Sequence, residues 1–288
     1  MISVTELQQR ALDRYEAGQI EAALQDLSLV LQQQPSNATA WYNRGIIAAE
    51  VGDHETAVHD LGRAIGLLPD NADLLHARAL SLRALGDHPA ALADVDLAIA
   101  LLPEDPDNYL LRGNCLVKLG DRKGALLAYG EAIRIFPEFV AAWYNRALTF
   151  IEQKDYYPAL RDLGKCIGLE VNAPGYLMDR AGVFATLGEF EKALADYDAA
   201  IRLNPHHPEM YFLRGHALAK LDRIADAVAA YSTSIRLNPG FAEAYRFRGA
   251  AKMHLKDKSG SCADFLQASE LGDLEARAYW EKNCKTKD

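Results

Sequence analysis

No run of 18 apolar residues occurs in this chain, and Met1-Ile2-Ser3 leads into a polar, charged segment with no apolar leader core. Neither a membrane span nor a secretory signal is expected, which reads as a cytoplasmic chain. A signal already removed, or oxidation of Cys262 with Cys284, would instead place it in the periplasm or outside the cell. Positive charge is also scarce: 31 Lys and Arg face 40 Asp and Glu, a formal net charge of -9. Phosphate backbones and anionic lipid surfaces are bound through a surplus of cations. Nucleic acid and membrane insertion are therefore not expected, although a local basic patch is compatible with this balance.

Cysteine is limited to Cys115, Cys166, Cys262 and Cys284, with no CxxC and no metal-ligand spacing. Reduced, buried thiols are the simplest reading of all four. Cys262 and Cys284 form the exception, because helix packing that brings them together would close a loop of about 20 residues and add roughly 3 kcal/mol.

Catalytic signatures are missing too. There is no HExxH and no GxxxxGK[ST]. His206-His207 precedes Pro208 in a turn and reads as a solvated pair. Asp94/Asp96 and Asp196/Asp198 resemble DxD metal motifs, yet on a helix i and i+2 point about 200° apart and cannot share one ion. Glu104-Asp105-Pro106-Asp107 lacks the glycine and the spacing of a calcium loop. The expectation is a non-enzyme without cofactor or metal.

What the chain does contain is a period. Pro69, Pro103, Pro137, Pro205 and Pro239 step by 34 residues or twice that. Between Gly188 and Pro205, residues Ala193, Leu194, Tyr197, Ala200 and Ile201 form one stripe of an α-helix. Near-copies of this stretch end at the other prolines, and a period of this size decides the fold. Eight contiguous units result, at 4–37, 38–71, 72–105, 106–139, 140–173, 174–207, 208–241 and 242–275, followed by a capping helix at about 273–285. The whole of 1–288 is expected to be one solenoid.

Positions within a unit are numbered here as slots. Slot 8 is always Ala or Gly, from Ala11 and Gly45 to Gly249, and slot 20 is Ala in seven units and Ser261 in the last. Small residues at both slots let the two helices of a unit cross closely, where a Leu would overpack by about 1–3 kcal/mol. Bulk at slot 4 (Trp41, Trp143, Tyr211) and slot 24 (Leu61, Tyr129, Tyr197) supplies the packing knobs.

The pattern Trp41-x2-Arg44-Gly45-x2-Ala48, then Ala57-x3-Leu61, then Pro69, resembles the tetratricopeptide repeat (TPR). The resemblance covers nearly the whole chain. It implies an all-α, right-handed solenoid superhelix of antiparallel helix pairs, with first helices lining a concave groove. Departures fall at the ends: Arg14 and Gln33 in the first unit, Lys252, Ser261, Ser269 and Asp273 in the last, as expected where terminal faces meet water. Ser3-Val4-Thr5-Glu6 reads as a capping box, and Leu274, Ala278 and Tyr279 as the face of the capping helix that covers the eighth unit. Lys154 in place of the turn glycine, Val171 in place of the closing proline and Gly182 within a helix mark the 171–175 junction as the place for a bend.

Slot 7, usually apolar in TPR units, is Arg in all eight, among them Arg44, Arg78, Arg146 and Arg180. Six units carry Asp at slot 23, including Asp60, Asp94, Asp162 and Asp196; Ala128 and Ala230 break the series. A structural ladder of Arg–Asp pairs explains both columns and leaves Arg112 and Arg214 in need of other partners. The functional alternative is a spiral of cations that holds an acidic ligand.

The resemblance places slots 2, 5, 6, 9, 12 and 13 on the concave side. Tyr42, His76, Leu110, Tyr144, Met178 and Phe212 fill slot 5; Ile46, Asn114, Leu148 and His216 fill slot 9; Asn43 and Asn145 sit at slot 6. Apolar and aromatic side chains on a face exposed to water point to a ligand. The expected function is a protein-interaction scaffold that takes a peptide or partner segment of unknown identity, with Tyr42, Tyr144, Met178 and Phe212 as anchors. Members that bind chaperone C-terminal carboxylates carry Lys at slot 5, which no unit has here, so that ligand class is not expected. The alternative is a structural scaffold that self-associates by stacking through its terminal repeats.

Overall fold

The structure, a computed structural model, describes residues 2–285. Among these residues it is all α-helix, with 17 helices. The first helices of the successive repeats are α1 (Val4–Glu16), α3 (Ala38–Glu50), α5 (Ala72–Ala84), α7 (Pro106–Lys118), α9 (Val140–Glu152), α11 (Pro174–Thr186), α13 (Pro208–Lys220) and α15 (Ala242–His254). The second helices are α2 (Ile20–Gln33), α4 (His54–Leu67), α6 (His88–Leu101), α8 (Arg122–Ile135), α10 (Tyr156–Leu169), α12 (Phe190–Leu203), α14 (Ile224–Leu237) and α16 (Lys258–Glu270), and α17 (Leu274–Asn283) closes the series. The chain divides into two compact units between Thr149 and Phe150.

Local chemistry sets these boundaries. Ser3 and Glu6 form a reciprocal capping box at the start of α1. Asn37, Asn71 and Asp105 cap later first helices, and Asp53, Asp87, Asp121 and Asp257 cap second helices by accepting a backbone N–H. The turn between the helices of each repeat needs a left-handed residue, which glycine supplies in five repeats. Lys154, Asp222 and Lys256 adopt the same conformation at φ of 61°, 58° and 63°, so the turn survives loss of its glycine. α11 begins at Pro174 and runs through Gly182 to Thr186 without interruption.

The core sits at the helix crossings. Slot-20 alanines from Ala23 to Ala227 are fully buried, against Leu27, Leu61, Val95, Tyr129, Leu163, Tyr197 and Tyr231. The size of slot 8 answers that of slot 24. A Cβ on Gly113 would lie 2.3 Å from Tyr129 Cε1, and one on Gly215 2.7 Å from Tyr231 Cε1. Slot-4 aromatics bind the preceding repeat: Trp41 and Trp143 donate from Nε1 to the carbonyls of Pro35 and Pro137 at 2.8 Å, and Tyr211 donates to that of Pro205 at 3.2 Å.

The C-terminal cap differs from expectation. Leu274 is 74 % exposed and Ala278 is exposed. Tyr279 covers the last repeat as expected, its ring stacked on Phe265 at 4.1 Å, and Ala276 and Trp280 join it in place of Leu274 and Ala278. Two ends fix that face. Arg246 holds the N-cap Asp273 at 2.7 Å, and Cys284, four residues beyond Trp280, is joined to Cys262 in a disulfide with Cα atoms 5.5 Å apart.

Candidate functional site

The arginine column is anchored by geometry. Arg10, Arg44, Arg78, Arg180 and Arg248 each fork onto the Asp sixteen residues later, with both N–H···O distances between 2.5 and 2.9 Å. The carboxylates Asp26, Asp60, Asp94, Asp196 and Asp264 are buried while the guanidinium groups keep an edge in water. The Arg10 fork holds Asp26 below the usual carboxylate range against the opposing effect of burial, and the bonds to Asp94 and Asp196 raise Arg78 and Arg180. Arg146 and Asp162 occupy the same slots; Asp162 is buried and Arg146 lies 4.8 Å over the Trp143 ring. In the terminal repeats a second cation at slot 11 reaches the same carboxylate: Arg14 on Asp26 at 2.7 Å and Lys252 on Asp264 at 2.8 Å.

Arg112 and Arg214 solve their problem one repeat back. Their Nε atoms donate to Asp96 at 2.7 Å and to Asp198 at 2.6 Å. Both acceptors lie at slot 25 of the preceding repeat. This explains the DxD pairs: one Asp serves its own repeat and the other the next, at the two places where the next repeat has Ala at slot 23. In the other repeats that have a successor, slot 25 is Gly or Ser, with Ser28 and Ser232 accepting from Arg44 and Arg248, and Gly62, Gly130 and Gly164 beside the guanidinium groups of Arg78, Arg146 and Arg180. Slot 25 is the structural position that sequence reading missed, and its signal was present as an Asp that appears only where the following Asp is lost.

The open site lies in the first compact unit. A cavity of about 630 Å³ is bounded by α3, the start of α4, α5 and the turn into α7. Tyr42, Ile46, His76, Ala77 and Leu80 make its floor and walls, and a smaller recess of about 130 Å³ continues to Leu110 and Asn114. Five of the expected groove residues thus line one surface. Its rim was not anticipated: Glu50, Asp73, Asp105 and Asp107 surround the cavity, with Arg83 as the counter-charge. Asp73 and Asp107 share slot 2, a column expected on the concave side whose charge the apolar and aromatic anchors did not suggest.

The remaining expected groove residues do not line this cavity. Asn43, Tyr144 and Leu148 are half-buried on α3 and α9. Asn145 donates to Asn114 Oδ1 at 3.1 Å, and Tyr129 donates to the same oxygen at 2.9 Å, so these carboxamides already serve the scaffold. His76 Nδ1 lies 2.7 Å from Asn108 Oδ1. In the second unit Met178 packs beside Leu177 and Met210. Phe212 is enclosed by Phe241, Phe247 and Tyr231 at ring distances of 4.9, 5.4 and 5.8 Å, and His216 meets Phe247 at 5.5 Å. Phe212 is half-buried in this aromatic pack.

Among the described residues no cluster of His, Cys, Asp and Glu is arranged to hold a metal ion. Burial raises the thiol of Cys115 and pushes that of Cys166 up to about 12, so neither is a thiolate at neutral pH. No described helix is long and apolar enough to cross a membrane.

A family model described as tetratricopeptide repeat matches residues 9–66, 47–109, 110–164, 178–240 and 212–276. The chain belongs to the tetratricopeptide repeat family. TPR chains are in general non-catalytic, protein-interaction folds. The chain is similar in structure to the C-terminal part of a TPR repeat-containing protein from Cytophaga hutchinsonii, with 16% identity over 85% of this chain and 100% of that one and a TM-score of 0.76. A TPR protein from Parabacteroides merdae matches with 18% identity, 86% and 98% coverage and a TM-score of 0.62. YrrB, described as a TPR protein with an unusual peptide-binding site, matches with 20% identity, 65% and 97% coverage and a TM-score of 0.57. At these identities the likeness is one of fold. No curated protein matches the sequence.

Proposed function

We propose that this TPR chain is a non-catalytic scaffold that holds a segment of a partner protein in the groove along α3, α5 and α7. The observation that carries the reading is the open cavity over Ile46 and Leu80, where apolar side chains of consecutive first helices meet water. Leu80 is 40 % exposed at its centre. An acidic rim repels phosphate, which supports a protein rather than a nucleic acid as occupant. YrrB is described as having a peptide-binding site, and a corresponding use of the fold supports the same reading here. End-to-end stacking draws less support, since Arg14, Lys252 and α17 give both terminal repeats polar or covered faces. Of the two compartments considered, the Cys262–Cys284 bond favours an oxidising one.

The test is selection of random dodecamer peptides displayed against the immobilised chain. Selected peptides should lose at least tenfold in affinity on Leu80→Glu, which places a charge on the groove floor. They should be unaffected by Leu127→Glu, on the 72 % exposed surface of α8. Peptides indifferent to Leu80→Glu would remove the groove from the proposal.

A further inference from the structure

We infer that the occupant of this groove is a positively charged, extended segment whose Lys or Arg side chains meet Asp73, Asp107 and Glu50 while its apolar side chains rest on Ile46 and Leu80. The inference rests on the groove reading above and adds the chemical class of the partner.

The rim carries four carboxylates against one guanidinium. They are not equally free. Asp105 caps α7, accepting from Asp107 N at 3.0 Å and Asn108 Nδ2 at 2.9 Å. Glu50 accepts from the Tyr15 hydroxyl and keeps its second oxygen for other donors. Asp73 and Asp107 make no side-chain hydrogen bond or ion pair among the described residues, in contrast to the buried, forked aspartates of slot 23. Both lie in the first turn of their helices, at the same slot of consecutive repeats. Neighbouring packed helices are about 8–10 Å apart, which is about three residues of extended chain at about 3.3 Å each. The two spacings across three helices therefore span about 16–20 Å, or five to six residues, with cations near both ends of a three-residue step. An acidic segment would place its charges against these unpaired carboxylates, and like-charge juxtaposition is an effective bar to wrong partners.

The experiment uses the intact chain and the displayed dodecamer library, with binding of the enriched peptides measured by fluorescence anisotropy at 50 and 500 mM NaCl. The enriched pool should carry more Lys and Arg than Asp and Glu. Its peptides should weaken at least fivefold on Asp73→Asn with Asp107→Asn and at least threefold at high salt. They should weaken less than twofold on Glu21→Gln with Glu55→Gln, which removes the same charge from exposed sites on α2 and α4. A neutral or acidic pool that still depends on Leu80 overturns the charge inference and leaves the groove standing. Equal weakening by both double variants also overturns it, because net charge alone would then explain the binding. A pool indifferent to Leu80→Glu, or no enriched pool, overturns both readings.

Discussion

The pair α3 and α5 and the pair α13 and α15 occupy the same places in their repeats and use their exposed faces in opposite ways. Tyr42 and Ala77 stand at slot 5 of one repeat and slot 6 of the next; Phe212 and Phe247 stand at the same two slots in the second unit. Beside Ala77 there is a cavity of about 630 Å³. Phe247 fills the corresponding space, 5.4 Å from Phe212 and under the guanidinium of Arg246 at 4.7 Å. The rungs beneath match: Arg44 forks onto Asp60 and Arg248 onto Asp264. A groove in this fold is thus a consequence of side-chain volume at slot 6, laid on a backbone that is common to both units.

If the scaffold beneath is equivalent, Asp60→Ala and Asp264→Ala should each cost about 3 kcal/mol, since either leaves a half-buried arginine without its partner. Urea denaturation checks this, and a loss below about 1 kcal/mol at either site would break the comparison at its base. Phe247→Ala should cost about 2–3 kcal/mol, less than a fully buried Phe because the ring is half-exposed. The reciprocal change, Ala77→Phe, puts a ring at a buried position on the cavity wall and should cost about 1–3 kcal/mol. It should also weaken groove peptides at least tenfold, which is about 1.4 kcal/mol of binding energy. A peptide that binds Ala77→Phe as tightly as the parent would show that the occupied surface lies elsewhere.

Most of the fold was legible because each repeat states it again. Period, turn position and helix faces follow from slots that must stay small, large or left-handed. Pairing across repeats was harder to see. Asp96 and Asp198 looked like halves of a metal motif because their partners, Arg112 and Arg214, belong to the next repeat. Leu274 had the right chemistry for a cap, yet Asp273 and Cys284 turn the helix so that Ala276 and Trp280 face inward. The groove residues Tyr42, Ile46 and His76 could be listed from slots 5 and 9. Whether that surface is open depends on Ala77 or Phe247 next door, and its charge depends on slot 2, so single columns did not reveal either.

The smallest expected effect concerns His216, which stands at slot 9 where α3 has Ile46. Burial in the aromatic pack, and then the nearby Lys220, hold its imidazole below the ordinary value of 6.5. A depressed folded value means that folding favours the neutral ring. The stability it contributes is intact above pH 6.5, the unfolded value, and declines as pH falls through 6.5 toward the lower folded value, with no further change below that. Between pH 7.5 and 5 the thermal midpoint of the parent should therefore fall slightly more than that of His216→Gln. Ile46→His places the same ring at the same slot in the open groove, where water reaches it, and its NMR-monitored titration should lie closer to 6.5 than that of His216. If the two imidazoles titrate together, the second unit's face is wetter than its packing implies, and the volume of slot 6 is not what separates the two.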